Sequence, residues 1–202
     1  MHDPARLDLD PDLRQALWER LGQAVERYAR EVDHLPVAPV LDADALRGLL
    51  KPFDFEAPVA PEAALDFAAE GLRRHQVHTP HARYFGLFNP APSAMGIAAD
   101  ALAAAFNPQI AAWSHNPFAA EVEAHLCRAF GARFGWQAAQ VDGTFCSGGA
   151  EANHSALLVA LVAAFPEFPE GGARALAAQP VFYVSQEAHH SFAKAARLCG
   201  LG

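Results

Sequence analysis

Gly143-Thr144-Phe145-Cys146-Ser147-Gly148-Gly149-Ala150-Glu151-Ala152-Asn153 is the stretch that decides how this chain folds. A short β-prone run, Thr144 to Cys146, stops at Ser147-Gly148-Gly149. A strongly helical run, Ala150 to Phe165, follows at once. A strand that feeds a small-residue turn opening a helix makes an anion site. The first-turn N–H groups have no intrahelical partner, and the helix dipole is positive there. Gly148 and Gly149 let the backbone approach a phosphate, and Ser147 can add a hydroxyl. The common nucleotide and hydrolase motifs do not apply. No lysine follows the glycines, the spacing is not GxGxxG, and Phe145 stands where a nucleophile elbow has its first glycine. The plain alternative is a tight strand-to-helix turn that binds nothing.

The rest of the composition narrows the class. A chain of 202 residues suits one domain or two small ones. With 52% hydrophobic and 19% charged residues it reads as globular rather than disordered. A net charge of −8 without a basic cluster argues against a nucleic-acid partner. Cys127, Cys146 and Cys199 are odd in number and form no CxxC pair, so the expected compartment is a reducing cytoplasm. Met1-His2-Asp3-Pro4 lacks an apolar secretory core, and the longest apolar run, Ala156 to Phe165, is too short to span a bilayer. No membrane association is expected.

Helical spacing of Leu13, Leu17, Leu21, Val25 and Tyr28 predicts a first helix over 12–30. Residues 34–61 are proline-rich and predict an extended crossing segment with one helical turn near 44–50. Pro61 opens a second helix to about residue 77. Residues 78–93 form a rigid loop of aromatics and prolines, and Ser93 caps an apolar helix over 94–106, expected to be buried on most sides. Asn116-Pro117 starts a helix carrying Phe118, Val122, Leu126, Phe130 and Phe134, stopped by Gly135. The glycine-turn helix, a Pro/Gly linker with a short helix, a strand over Val181–Val184 and a last helix ending near Gly200 complete the chain. Strand, helix, strand, helix from 143 onward predicts a parallel α/β sheet.

His189 follows the second expected strand, as the glycine turn follows the first. Ligands of open α/β sheets bind at the carboxyl ends of strands, so both features would face one edge. The alternative for His189 or His190 is a simple helix cap. His75, His78 and His81 recur every three residues, but Pro80 breaks any helix that would align them on a metal. Ser147 or Cys146 with His189 would suggest a hydrolase or thiol enzyme, and neither has its turn signature.

Ser185-Gln186-Glu187-Ala188-His189-His190-Ser191-Phe192-Ala193-Lys194-Ala195 resembles the Ser-x-x-x-His-x-Ser-x-x-(Lys/Arg)-Ala segment of the group II pyridoxal-phosphate-dependent amino-acid decarboxylases, which include the glutamate and aromatic-L-amino-acid decarboxylases. Residues 143–153 resemble their glycine-rich phosphate segment. His81-Ala82-Arg83-Tyr84-Phe85 resembles their His-Pro-(Arg/Tyr)-Phe-Phe run, with Ala82 in place of the proline. The three segments come in family order, and the resemblance covers residues 12–202. It implies the N-terminal part of a fold type I, aspartate-aminotransferase-like enzyme. Residues 1–80 would be a helical packing or dimer arm. Residues 81–202 would be the first part of the large cofactor domain, with an incomplete parallel sheet. It implies pyridoxal 5'-phosphate as cofactor, an amino acid as substrate, loss of its α-carboxylate as carbon dioxide, and a homodimer at full length. By position, Gly149 and Ala150 would donate N–H groups to the phosphate, with Gly148 shaping the turn. His189 would stack on the pyridine ring and help in proton transfer. Phe85, Leu87 and Phe88 would border the substrate pocket. Trp113 would sit in a loop that reaches a neighbouring subunit, or in the core.

Two elements of that chemistry are not found in the sequence. The Schiff-base lysine of the family follows a histidine later than residue 202, whereas this chain has only Lys51 and Lys194. The Asp-x-Ala pair that faces the pyridine nitrogen has no counterpart here, the last aspartate being Asp142. The expectation is therefore half of a cofactor site, in a chain that is inactive when isolated, with an unpaired sheet edge and a bare apolar face. The competing expectation is a remnant that packs with a partner and has no turnover.

Overall fold

Several helices begin where the sequence supplies a side-chain cap or a first-position proline. In the computed structural model, which describes residues 8–40 and 42–202, α1 spans Pro11–Glu31. The Asp10 carboxylate accepts the Leu13 N–H at 2.9 Å, and Pro11 takes the first helical position. The opening residues Met1 to Pro4 lie outside the described residues. In α2, Ala43–Leu50, Asp42 accepts the N–H groups of Asp44 and Ala45 at 2.9 and 3.1 Å. Helix α3, Pro61–His75, starts on its proline. Helix α4, Ala94–Phe106, starts where Ser93 Oγ accepts the Gly96 N–H at 3.0 Å. Helix α5, Pro117–Arg133, is capped by Asn116 and stops before Gly135, whose φ of +83° favours glycine. The remaining helices are α6 (Gly149–Ala164), α7 (Phe168–Gly171) and α8 (Ser191–Leu198).

The chain divides into two compact units, Met1–Ala105 and Phe106–Gly202. In the first, α1 packs on α3. Arg20 holds Asp66 with two bonds of 2.5 and 2.6 Å. Glu70 accepts two 2.8 Å bonds from Arg73 and a further one from Arg74, and Arg73 also reaches Glu31 at 3.4 Å. Exposed pairs of this kind contribute little each, and their main effect is to fix the register of the two helices. An apolar cleft of about 370 Å³ lies beside them, lined in part by Leu21, Val25, Tyr28, Leu65, Leu72 and Ile97. Two buried histidines anchor the chain after α3. Tyr28 Oη meets His78 Nδ1 at 2.9 Å, and His81 Nδ1 accepts the Arg83 N–H at 2.9 Å. Burial pushes the His78 imidazole below its ordinary pKa. Among the described residues, no group of His, Cys, Asp or Glu is arranged to hold a metal ion.

The second unit is built on α6 against α8. Leu161, Phe168, Ala196, Cys199 and Leu201 form its core, with Leu157, Phe165, Ala173 and Leu176 packed around them. Ala195 and Ala196 are fully buried small residues, which lets the two helices approach closely. In α5, Gly131 is buried against the Val141 side chain, leaving no room for a Cβ.

Three expectations change. The parallel sheet is not present: among the described residues no strand forms, and the chain there is helical with extended connections. A strand is held by a neighbouring ladder, and residues 143–146 find a side chain instead. Glu123 accepts the Phe145 N–H at 2.8 Å and the Thr144 hydroxyl at 2.9 Å. The run Val181–Val184 is extended and exposed, with no cross-strand partner among the described residues. Helix α4 is not buried on most sides, since Met95 is 78% exposed and Leu102 59%. Its composition calls for cover that no described element provides. Trp113 is not core: it is exposed and donates Nε1–H to Glu121 at 2.9 Å. No single helix among the described residues is long and apolar enough to cross a membrane.

Two outcomes follow for stability. The arginines hold the Glu70 carboxyl at about 2, below its ordinary 4.5. Its contribution is therefore complete above about pH 4.5 and is lost as pH falls through 2. Glu70→Gln flattens the acid limb of the stability curve in that window, measured by urea unfolding at a series of pH values. Gly131→Ala forces a methyl onto Val141 and destabilises the second unit by about 1–3 kcal/mol, read from the shift in urea midpoint.

Candidate functional site

The glycine turn sits where the sequence puts it, at the start of α6. Gly148 is extended (φ 179°, ψ 170°), and no side chain caps the helix. A buried helix end normally finds a partner for its first N–H groups. Here Gly148, Gly149 and Ala150 are exposed, and no side chain caps the first turn of the helix. A Cβ on Gly148 or Gly149 would meet no atom within 4 Å. Neither the protein's own packing nor a positive φ requires glycine at these two places. Small residues there leave room for a group that is not part of the chain.

Ser147 does not add its hydroxyl to this space. Its N–H and Oγ–H both go to Glu151 Oε2, at 2.7 and 2.6 Å. These bonds lower the Glu151 pKa, with the nearby His154 as a smaller cause. Glu151 thus closes the turn and places a negative charge beside the donors. The sequence reading did not single out Glu151. Its signal was present, because an acid in the first helical turn that reaches back to a serine is a capping pattern.

His189 follows residues 181–184 and precedes α8. Its Nδ1 lies 2.9 Å from Ser191 Oγ and accepts the Ser191 N–H at 3.3 Å. A capping role for His189 is therefore observed. The ring packs on His190 with centroids 4.1 Å apart, and the residue is otherwise exposed. Asn153 Nδ2 donates to Ser191 Oγ at 2.8 Å, which ties α6 directly to the start of α8. Asn153 lies near the N-terminal end of α6 and Ser191 is the first residue of α8, while Leu161 packs further along with Ala196 and Cys199. The two helices therefore run parallel, with both positive dipole ends on the same side. The sheet edge expected to join the glycine turn and His189 is absent among the described residues; the Asn153–Ser191 bond links the segments that carry them.

Phe85, Leu87 and Phe88 belong to the first unit, in the loop between α3 and α4. All three are exposed, Phe88 fully. Tyr84 covers Gly86 so closely that a Cβ there would clash with its ring. Lys51 closes α2, and Lys194 is exposed on α8.

The uncapped helix start behind an extended Gly148 and the imidazole before α8 are of a kind that suits a phosphate-bearing group. The pyridoxal-dependent decarboxylase conserved domain matches residues 48–202, and the chain belongs to that family. Aromatic-L-amino-acid decarboxylase from Bacillus atrophaeus is 29% identical over 182 residues, covering 88% of this chain and 36% of that protein. Tyrosine decarboxylase from Oryza sativa subsp. japonica is 29% identical over 206 residues, 96% of this chain and 37% of the relative. The chain thus spans little more than a third of the length of these two relatives. Among solved structures, mouse CSAD in its apo form superposes with a TM-score of 0.82 at 22% identity, over 95% of this chain and 40% of that one. Oryza sativa TDC, solved with PLP and tryptamine, gives 0.77 at 22% identity, over 98% and 44%. At those identities the likeness shows the fold, which is that of the matching part of these decarboxylases. The family's cofactor is pyridoxal phosphate.

Glu151→Gln removes a negative charge next to the α6 donors. The expected result is tighter binding of inorganic phosphate, followed by amide shifts of Gly149 and Ala150. Unchanged or weaker binding would mean that the charge does not bear on these donors.

Proposed function

We propose that this chain carries the phosphate-binding and ring-stacking half of a pyridoxal-phosphate-dependent amino-acid decarboxylase. The reading rests on one observation: the uncapped α6 start and His189 share one end of the α6–α8 pair, within the region that matches the family. The Gly149 and Ala150 N–H groups bind the phosphate, and Gly148 gives them access. Both helix dipoles favour the dianion. His189 flanks the pyridine ring, excludes water from that face and holds a proton at Nε2. Bound pyridoxal phosphate supplies the electron sink for the pair left when the α-carboxylate departs as carbon dioxide. The substrate is an L-amino acid, in keeping with the relatives' printed activities on aromatic amino acids and tyrosine.

Phe85, Leu87 and Phe88 border the substrate side chain. Their exposure, and that of α4, support a second copy as cover, hence a homodimer at full length. By role, residues 1–80 form the packing arm and 81–202 begin the cofactor domain. The free thiols of Cys127, Cys146 and Cys199 support a cytoplasmic setting. Neither lysine serves as the covalent anchor. Lys51 ends α2 in the first unit, and Lys194 occupies the basic family position past His189 rather than the anchor position. Residues 1–202 therefore bind the cofactor without a covalent bond and do not turn over amino acids.

Gly149→Pro tests this reading. Proline fits the first helical position, and Gly148 is already extended as a residue before proline must be. The change deletes one phosphate donor and leaves the helix intact. Cofactor affinity falls roughly ten- to a hundredfold, as for a hydrogen bond to a charged group of about 1.5–3 kcal/mol, with helical circular dichroism unchanged. Borohydride leaves no reduced cofactor on the protein. A labelled Lys194, or decarboxylase turnover by residues 1–202, would refute the proposal.

A further inference from the structure

The contact between α6 and α8 holds more information than packing alone requires. Asn153, Leu157 and Leu161 recur at four-residue spacing on the face of α6 that meets α8. Two are apolar; Asn153, nearest the cofactor end, is not. Its partner Ser191 is 2% exposed, so this polar pair replaces what an apolar pair would fill at lower desolvation cost. The hydrogen bonds show what the pair does. The Ser191 N–H points at His189 Nδ1 and can only donate. Nδ1 must therefore present its lone pair. A proton there would face the N–H donor to donor. Ser191 Oγ accepts a hydrogen bond from the Asn153 Nδ2–H and donates its own O–H to the same Nδ1. The ring proton is left on Nε2, the nitrogen that points out of this relay.

We propose that Asn153 and Ser191 are positioning residues that act through one relay, Asn153 to Ser191 to His189, to fix His189 as the Nε2–H tautomer and to set its ring angle at the start of α8. Their role in cofactor chemistry rests on the reading of this end of the helix pair as the pyridoxal phosphate site. The relay itself does not depend on a bound group. A neutral imidazole with a defined donor on its outer nitrogen can stack on a flat ring and pass a proton at a known atom. A ring free to exchange tautomers would offer a donor there for only part of the time. The connection also couples the two halves of the site: the helix that carries the phosphate donors sets the state of the imidazole.

The test uses residues 1–202 labelled with 15N and two-bond 15N–1H correlation of the His189 ring, assigned with His189→Gln. The expected wild-type pattern is the Nε2–H tautomer. Ser191→Ala and Asn153→Ala shift the tautomer ratio toward the mixture of free histidine by roughly fivefold, the equivalent of one hydrogen bond of about 1 kcal/mol. Ser191→Thr, which keeps the hydroxyl, restores the wild-type pattern. A merely structural role for the pair would change stability in all variants without this tautomer shift and rescue. A wild-type ring protonated on Nδ1, or a ratio unchanged in both alanine variants, overturns the proposal, and the wild-type measurement needs no variant to fold. Titration of the same sample with pyridoxal phosphate separates the two readings. Absent amide shifts at Gly149 and Ala150 count against the cofactor site, whereas an unfixed tautomer counts against the relay.

Discussion

Helix α6 lies on α8 along two matched strips. One is Asn153, Leu157 and Leu161; the other is Ser191, Ala196 and Cys199. Small buried alanines let the backbones come close, and Leu161 fills the space toward Cys199 and Leu201. At the other end of the strips a single polar contact, Asn153 to Ser191, sets the axial register. Everything assigned to the cofactor site follows from that register. It brings the N-terminal part of α6 to the start of α8, the segment that His189 precedes. A slip of one helical turn would carry His189 about 5 Å away and leave the α6 donors alone.

The first unit is organised by charge and by buried imidazoles more than by a large core. Arg20–Asp66 and the Glu70 cluster fix α1 on α3 from outside. Tyr28 holds the turn after α3 through the buried His78, and the exposed Asp33 carboxylate accepts the Ala82 N–H at 2.8 Å. That turn leads straight into Phe85, Leu87 and Phe88. Three histidines at equal spacing suggest a metal site, but here His78 and His81 are structural and bind protein groups. That anchor lies directly before the exposed aromatic loop.

Most helices were legible in the sequence because their boundaries are written in short-range chemistry. Pro11, Pro61 and Pro117 at first positions, Asn116 as a cap and Gly135 as a stop all act within a few residues. The sheet was inferred from β-prone runs at 143–146 and 181–184, but a strand exists only with a neighbour. Local composition cannot state whether that neighbour is present. Glu123, more than twenty residues earlier, satisfies the backbone of the first run instead. The same limit explains α4, whose apolar surface records a need for burial without supplying its cover. At the site, the glycine turn and His189 were readable as motifs. Asn153 and Ser191 lie in the same two segments, and their meaning is the contact between them, which local sequence does not state. Ser147, a hydroxyl donor by its place in the turn, gives that bond to Glu151.

The central claim is that the open N-terminal donors of α6 are the phosphate cup of a pyridoxal phosphate site. Backbone amide spectra of residues 1–202 during titration with pyridoxal phosphate, and separately with pyridoxal, test it most directly. The account predicts saturable shifts centred on Gly149 and Ala150 and on the His189 ring with the phosphorylated compound. Pyridoxal without phosphate should bind far more weakly. Shifts that cluster away from the α6 start, or equal binding of the two compounds, would contradict it.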